Sequence, residues 1–152
     1  MMKKIRFEKS RKNSGWSYIE TLIVIAIILI LTATVGFVAI NSLEKSKVAA
    51  AQTQIDSFSI ALEAYYIDCG TYPTEEQGLS ALRTKPVIEP VSSGWDGPYL
   101  YKEPPKDPWG NDYEYVLLND GINSFGIRSF GSDGKEGGEG RAKDICSWET
   151  SE

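Results

Sequence analysis

The first quarter of the chain is dominated by a long run of apolar residues. Between residues 16 and 40 the only strongly polar side chain is Glu20, and residues 22–31 are all apolar. A helix of this length reaches roughly 37 Å at about 1.5 Å per residue, enough to cross a hydrocarbon core of about 30 Å. The pattern therefore predicts a membrane-spanning helix over residues 16–40. A secretory signal peptide is the alternative, but its apolar core is shorter and precedes a small-residue cleavage site, which Phe37 disrupts here.

After this run the pattern becomes amphipathic, with apolar residues recurring mostly every three or four positions. This spacing is typical of a helix that buries one stripe. No proline interrupts it, and Gly70 provides a stop. We therefore expect the helix to continue to about Gly70, with a charged, solvated opposite face. The predicted stripe is Ile40, Leu43, Ala51, Ile55, Phe58, Leu62 and Tyr65 or Tyr66, and the predicted solvated face includes Glu44, Lys45, Lys47, Gln52 and Asp56.

The middle of the chain has weaker helical signals and many prolines. Thr74 and Gln77 fit a capping box, which predicts a short helix to about Arg83 with its leucines, Leu79 and Leu82, facing the core. Six of the seven prolines lie in residues 86–108, which excludes a helix interior or a central strand there. We expect an ordered loop held by aromatic packing anchors. These anchors are Trp95, Tyr99, Tyr101 and Trp109.

The last third alternates short β-type runs with turn residues. Residues 113–118 and 123–130 read as two strands joined by a turn at residues 119–121, and residues 144–148 read as a third strand. The amphipathic part of the helix is the available cover for such a sheet. The predicted fold class is α+β, a long N-terminal helical spine (membrane half plus amphipathic half) packed against a small antiparallel β-sheet.

Charge is distributed unevenly along the chain. Residues 1–15 contain six Lys or Arg and one Glu, whereas the remainder contains ten basic and twenty acidic residues. Basic residues before an apolar run indicate a cytoplasmic N-terminus, and the acidic remainder argues against nucleic-acid binding. The chain has no histidine, and no nucleophile or phosphate-binding motif accompanies the acidic residues. These features argue against an enzyme.

The two cysteines are far apart in sequence. Cys69 and Cys146 are not spaced as in the CxxC motif of redox proteins and zinc sites. In an oxidising compartment they could form a disulfide that closes a long loop. Two separately buried thiols are an equally good interpretation.

Glu20 is the most informative polar residue, because a carboxylate inside a membrane helix is costly unless it is paired or protonated. A position at the membrane interface is a fair alternative for a helix that begins at Met1, and Gly15 weakens it. The preceding KNSG run ending at Gly15, followed by Trp16 and Glu20, resembles the class III signal of the type IV pilin superfamily. The resemblance implies that a prepilin peptidase cleaves after Gly15 and methylates Trp16. It also implies that Glu20 pairs with a neighbouring subunit's new α-amine during assembly.

Three segments resemble the major pseudopilin of type II secretion, a pilin-like family. They are residues 72–79 (YPTEEQGL), 107–113 (DPWGNDY) and 130–145 (FGSDGKEGGEGRAKDI). The resemblance implies a cleaved leader over residues 1–15, an assembly helix over 16–40 and a periplasmic domain over 41–152.

A protein of this family would polymerise into a periplasmic pseudopilus that helps to export folded proteins. Its expected partners are copies of itself, the prepilin peptidase, minor pseudopilins and the inner-membrane assembly platform, with the outer-membrane secretin and secreted proteins contacted indirectly. The expected location is the bacterial inner membrane, with the C-terminal domain in the periplasm. The alternatives are a type IV pilin or minor pseudopilin subunit, or a membrane-anchored binding protein that does not polymerise.

The glycine-rich segment contains only oxygen ligands, which suit Ca²⁺. From the residues alone a solvated turn is favoured, because the spacing is not that of an EF-hand. The pseudopilin resemblance reverses this preference and implies a structural calcium site. By that resemblance Asp133, Asp144 and the Phe130 carbonyl are ligands, with Glu139 as a further candidate. Ala142 and Lys143 stand where such sites commonly have another acidic ligand.

Overall fold

The computed structural model describes residues 17–118 and 124–149. Its longest element, α1, spans Tyr18–Cys69. The chain divides into two compact units, one ending at Ile40 and one beginning at Asn41. The predicted leader, Gly15 and Trp16 lie outside the described residues, as does the predicted turn at 119–121.

Among the described residues, the first unit contains the apolar part of α1. Its large side chains from Tyr18 to Leu31 are mostly exposed, including Ile19, Leu29 and Ile30. In the part of the chain that the structure describes, no helix combines the length and the apolarity that a membrane crossing requires.

The second unit contains the rest of α1 and a three-stranded antiparallel sheet in the order β1-β2-β3. The strands are β1 (Glu114–Leu117), β2 (Phe125–Ser129) and β3 (Ile145–Cys146). β2 is central, so it is hydrogen-bonded on both sides. Each strand is slightly shorter than the sequence pattern predicts, and all three predicted strands are present.

One face of the sheet packs against α1 within the second unit. Each fully buried Leu, Ile or Phe contributes about 2 kcal/mol, so this shared core is the main stabilising feature of the unit. It confirms the predicted α+β arrangement of a helix covering a small sheet. The helix contributes Ala51, Ile55, Phe58, Ala61, Leu62 and Tyr65; the sheet contributes Tyr115, Ile127 and Ile145; and the segment between them contributes Leu79, Ala81 and Leu82.

The predicted stripe of α1 was too long at its N-terminal end. Leu43 is exposed, and burial of apolar side chains in this helix begins at Ala51. The reason is the size of the sheet, since strands of two to five residues cover only the later turns of the helix. At the other end Tyr65, and not Tyr66, is the buried tyrosine.

The predicted short helix forms only in part. The capping box is present: the Thr74 N–H donates to Gln77 Oε1 at 3.0 Å, and the Gln77 N–H donates to Thr74 Oγ1 at 3.2 Å. An α-helix does not follow, because Gly78 has a φ of +57° and redirects the chain. A 3-10 helix at Leu79–Leu82 takes its place, and it still buries both leucines.

Residues 86–108 form the predicted loop, without helix or strand anywhere in this fully described stretch. Trp95 donates from Nε1 to the Ala81 carbonyl at 3.0 Å, and Tyr99 packs edge-on against Tyr65 at 5.5 Å between ring centroids. The prediction for Tyr101 was wrong, because this side chain is 91% exposed. Tyr99 and its neighbour Leu100 both donate backbone N–H groups to the Leu82 carbonyl, and the chain then bends outward.

Candidate functional site

Two places hold the residues that the sequence singles out: the first turn of α1 and the loop between β2 and β3. Glu20 lies in the first turn of the helix, and its backbone N–H donates to the Ser17 carbonyl at 2.9 Å. A carboxylate near a helix N-terminus is favoured by the helix dipole. In the single chain the Glu20 side chain is exposed.

The glycine-rich loop, residues 130–144, is closed onto itself by backbone contacts. The Ser132 N–H donates to the Arg141 carbonyl at 3.3 Å. Gly131 and Gly138 have φ values of +61° and +96°, and a Cβ atom at either would lie within 3 Å of a backbone oxygen, that of Lys143 or Ala142. Only glycine fits such a backbone, so these glycines let the two ends of the loop approach each other.

Asp144 is the central carboxylate of this loop. Its Oδ2 atom accepts a hydrogen bond from the Gly137 N–H at 3.0 Å and lies 3.6 Å from Nη1 of Arg128. Its Oδ1 atom is buried and has no hydrogen-bond partner. Leaving a buried carboxylate oxygen unpaired is costly, so this atom is a natural position for a cation.

The other predicted calcium ligands are not gathered around Asp144. Asp133 is exposed, and its Oδ1 atom accepts a hydrogen bond from the Lys135 N–H at 3.2 Å. Glu139 is also exposed. Across residues 17–118 and 124–149, no three acidic, histidine or cysteine side chains lie close enough together to hold a metal ion. The orphaned oxygen of Asp144 fits a calcium ion, whereas a preformed cage of carboxylates is not present in the described residues.

Arg128, which the sequence reasoning missed, lies beside this carboxylate. It projects from β2 opposite Glu114, and its Nε and Nη2 atoms donate to Glu114 Oε2 at 2.8 and 2.6 Å. Its Nη1 atom donates to Glu136 at 2.8 Å. Hydrogen bonds to Glu136 and Glu114 raise the pKa of Arg128 above its usual range. Cross-strand pairing of opposite charges is the signal that could have found it.

A second hydrogen-bond network, which the sequence did not indicate, joins the glycine-rich loop to the DPWGN turn at residues 107–111. The carboxylate of Asp107 is buried and accepts hydrogen bonds from the Trp109 N–H, the Asn111 N–H and the Ser129 hydroxyl, at 3.0, 2.8 and 2.7 Å. Asn111 then donates from Nδ2 to the Gly131 carbonyl at 3.1 Å. The turn therefore fixes both the end of β2 and the start of the glycine-rich loop.

Two contacts connect these loops to α1 within the second unit. Arg141 donates to Oδ1 of Asn41 at 2.8 Å. Trp109 donates from Nε1 to Glu44 at 3.3 Å, with the ammonium of Lys47 5.9 Å from its ring centroid. Glu44 and Lys47 are thus half-buried partners of Trp109, and the prediction that they belong to a solvated face was wrong.

The two cysteines are free thiols. Cys146 shares a cleft with α1 residues as far along as Gln52, whereas Cys69 ends the helix. From Gln52 to Cys69 the helix rises roughly 25 Å, and a disulfide needs Cα atoms within about 7 Å. The two thiols are not joined in this structure, and of the two only Cys146 is buried. Burial, followed by the charges of Glu149 and Asp144, raises the pKa of the Cys146 thiol to about 11.

Comparison with known proteins identifies one consistent set of relatives. The family model described as "Type II secretion system (T2SS), protein G" matches residues 39–148. The type II secretion system core protein G of Vibrio cholerae serotype O1 is 39% identical over 141 residues, covering 93% of this chain and 95% of that protein. The core protein G of Pseudomonas aeruginosa is 37% identical over 139 residues, covering 91% of this chain and 97% of that protein.

A solved structure is also similar in fold. The crystal structure of the major pseudopilin from the type 2 secretion system of enterohaemorrhagic Escherichia coli matches with a TM-score of 0.61 at 32% sequence identity. The match covers 72% of this chain and 92% of that one. Sequence and fold therefore point to the same kind of protein.

Proposed function

This chain belongs to the protein G family of type II secretion systems and is a structural subunit of the pseudopilus, and we propose that it enters the fibre as a membrane-anchored precursor that assembles through its N-terminal helix. The observation that carries the proposal is the apolar surface of the first unit. Exposed large side chains run from Tyr18 to Leu31, and apolar surface of this extent is normally covered by lipid or by other protein chains.

The same helix supplies the membrane anchor before assembly. Residues 16–40 would hold the precursor in the inner membrane, with the basic residues before Gly15 on the cytoplasmic side. Cleavage after Gly15 by the prepilin peptidase would leave Trp16 as a methylated N-terminus. The second unit, from Asn41 onward, would then lie in the periplasm.

Glu20 acts in assembly and not in catalysis. Glu20 lies in the first turn of the described helix, so after cleavage its carboxylate would be near the new α-amine. In a fibre each carboxylate would neutralise the amine of a neighbouring copy, and this pairing would favour one register between subunits. Head-to-tail contacts of this kind give an open helical filament. The remaining partners would be minor pseudopilins and the assembly platform, with the secretin contacted through the fibre.

Replacing Glu20 with Ala tests this role. We expect the Glu20→Ala chain to fold and to be processed normally but to yield no fibres when it is the only copy in a cell that supplies the other secretion components. Glu76→Ala, which removes an exposed carboxylate in the second unit, is the matched control and should assemble normally. Fibres of normal abundance from Glu20→Ala would refute the assembly role.

Calcium binding in the glycine-rich loop is the second part of the proposal. Asp144 would hold the ion through its buried Oδ1 atom, with Asp133, the Phe130 carbonyl and Glu139 as the further oxygen ligands. When bound, the ion would supply the positive charge that this unpaired oxygen lacks. Its role would be structural, since it would tie the loop to β3.

Thermal unfolding with calcium and with chelator tests the calcium site. We expect calcium to raise the Tm of the unmutated protein by several degrees, as about 1 kcal/mol does for a domain of about 100 residues. Asp133→Ala should lose this increase, whereas Asp112→Ala, which removes an exposed carboxylate outside the loop, should keep it. Equal melting of the unmutated protein with calcium and with chelator would exclude the site.

A further inference from the structure

The guanidinium of Arg128 lies among three carboxylates at the base of the glycine-rich loop. It bonds Glu114 on the neighbouring strand and Glu136 within the loop, and it approaches Asp144 to 3.6 Å. Its own side chain is 16% exposed, and that of Asp144 is 12% exposed. The Arg128–Asp144 pair is therefore screened less than a surface pair, whereas Glu114 is 35% exposed and Glu136 is 76% exposed.

The two oxygens of Asp144 have different surroundings. Oδ2 faces Arg128 and the Gly137 N–H, while Oδ1 has no partner. The guanidinium also stacks on the ring of Phe130, with Cζ 4.7 Å from the ring centroid. Arg128 is thus fixed by stacking and by a planar fork of hydrogen bonds, an arrangement that lysine cannot reproduce.

We propose that Arg128 is a built-in cation of this loop, which holds residues 131–144 on the sheet without calcium and opposes calcium binding at Asp144. The second half of this statement rests on the calcium site proposed above. Arg128 is a positioning residue: it acts through Glu136 and Asp144. The loop of this chain would therefore stay closed in chelator, and calcium would bind against the repulsion of a nearby positive charge.

The holding role and the opposing role predict different changes when the charge of Arg128 is removed, one in loop exchange and one in calcium affinity. In Arg128→Met the loop loses its ion pairs, so in chelator the amide hydrogens of residues 131–144 should exchange about tenfold faster than in the unmutated protein. Calcium affinity should rise about tenfold, because a like charge is removed and Glu136 is released. A merely structural role for Arg128 would instead lower calcium affinity, since the ligand loop would be less ordered.

The experiment is hydrogen exchange and calcium titration of the full chain in mild detergent. Arg128→Lys keeps the charge but loses the fork, so its calcium affinity should stay within about twofold of the unmutated protein while its loop exchanges faster in chelator. If Arg128→Met does not fold, Arg128→Gln, which also removes the charge, takes its place in both measurements. Lys85→Met, which removes an exposed positive charge just before the proline-rich loop, should change neither measurement.

Exchange in chelator and calcium titration separate the holding role of Arg128 from the calcium site. Unchanged loop exchange in chelator for both Arg128 variants would overturn the holding role. Weaker calcium binding by Arg128→Met would overturn the opposing role. If no variant binds calcium, the calcium site fails and the opposing role with it, and exchange in chelator alone decides the holding role.

Discussion

At the scale of single residues, buried polar groups decide how the loops of the second unit are arranged. Asp107 accepts three hydrogen bonds in a buried position, and Ser129, one of its partners, is fully buried. Such a carboxylate stabilises the fold only while its donors stay in place. The Asp107 carboxylate therefore links the DPWGN turn to β2 through directional hydrogen bonds.

Asp107→Ala should lower the free energy of unfolding by about 3 kcal/mol, because it leaves the Ser129 hydroxyl and two backbone N–H groups without their buried acceptor. Urea unfolding followed by circular dichroism measures this. Asp112→Ala, which breaks only the exposed pair with Lys106, should change the stability by less than about 0.5 kcal/mol. Similar losses in both variants would contradict the structural role of Asp107.

The sequence could indicate some of these residues but not their contacts. Glu20, Asp133 and Asp144 were identified by type and by resemblance, and their roles stay predictions. Arg128 and Asp107 act through partners 14 and 22 residues away, at Glu114 and Ser129, so their roles depend on strand register and turn geometry. The separation of the two cysteines likewise depends on where β3 meets α1.

At the scale of elements, periodicity predicted the helix and the strands well, and their ends less well. The amphipathic pattern of α1 is genuine, but its buried part depends on how much sheet is available to cover it. An apolar residue in this helix is not always buried by the sheet. Ile60 and Ile67 are 72% and 79% exposed in the single chain. Exposed apolar residues on a helix face are consistent with a subunit that contacts further copies.

The capping box at Thr74 is an element whose energy can be tested. Thr74→Ala should lower the free energy of unfolding by about 1 kcal/mol, since the Gln77 N–H loses its acceptor. Gln77 also donates to the carbonyls of Ile88 and Pro90, so weakening its position should loosen the proline-rich loop. Thr74→Ser keeps the hydroxyl and should retain most of the stability. A Thr74→Ala protein as stable as the Ser variant would show that the cap contributes nothing.

At the scale of the whole molecule, tyrosines that pack in or against the core link the stability of the second unit to pH; Tyr65 is buried, and Tyr99 and Tyr113 are partly buried. Burial is the main cause that raises the pKa of Tyr65, Tyr99 and Tyr113 to about 12 each. In an unfolded chain tyrosine titrates near pH 10. The folded state therefore binds these protons more tightly than the unfolded state does.

The resulting stability should be fully present below about pH 10 and lost as the pH rises through about 12. Tyrosinate absorbance and circular dichroism, recorded together during an alkaline titration, should show ionisation of the buried tyrosines coinciding with unfolding. Tyr113→Phe should reduce the loss of stability, whereas Tyr101→Phe, at an exposed position, should not. Complete ionisation near pH 10 in the folded protein would contradict the burial of these groups.

If this chain is a processed subunit of a secretion pseudopilus, its N-terminus in the fibre must be the one that cleavage creates. The most direct test is the N-terminal sequence and intact mass of the chain recovered from isolated fibres, in cells that carry the prepilin peptidase and the other secretion components. We expect fibres built from a chain that begins at Trp16, with the added mass of one methyl group. A chain found only outside fibres and still beginning at Met1 would contradict it.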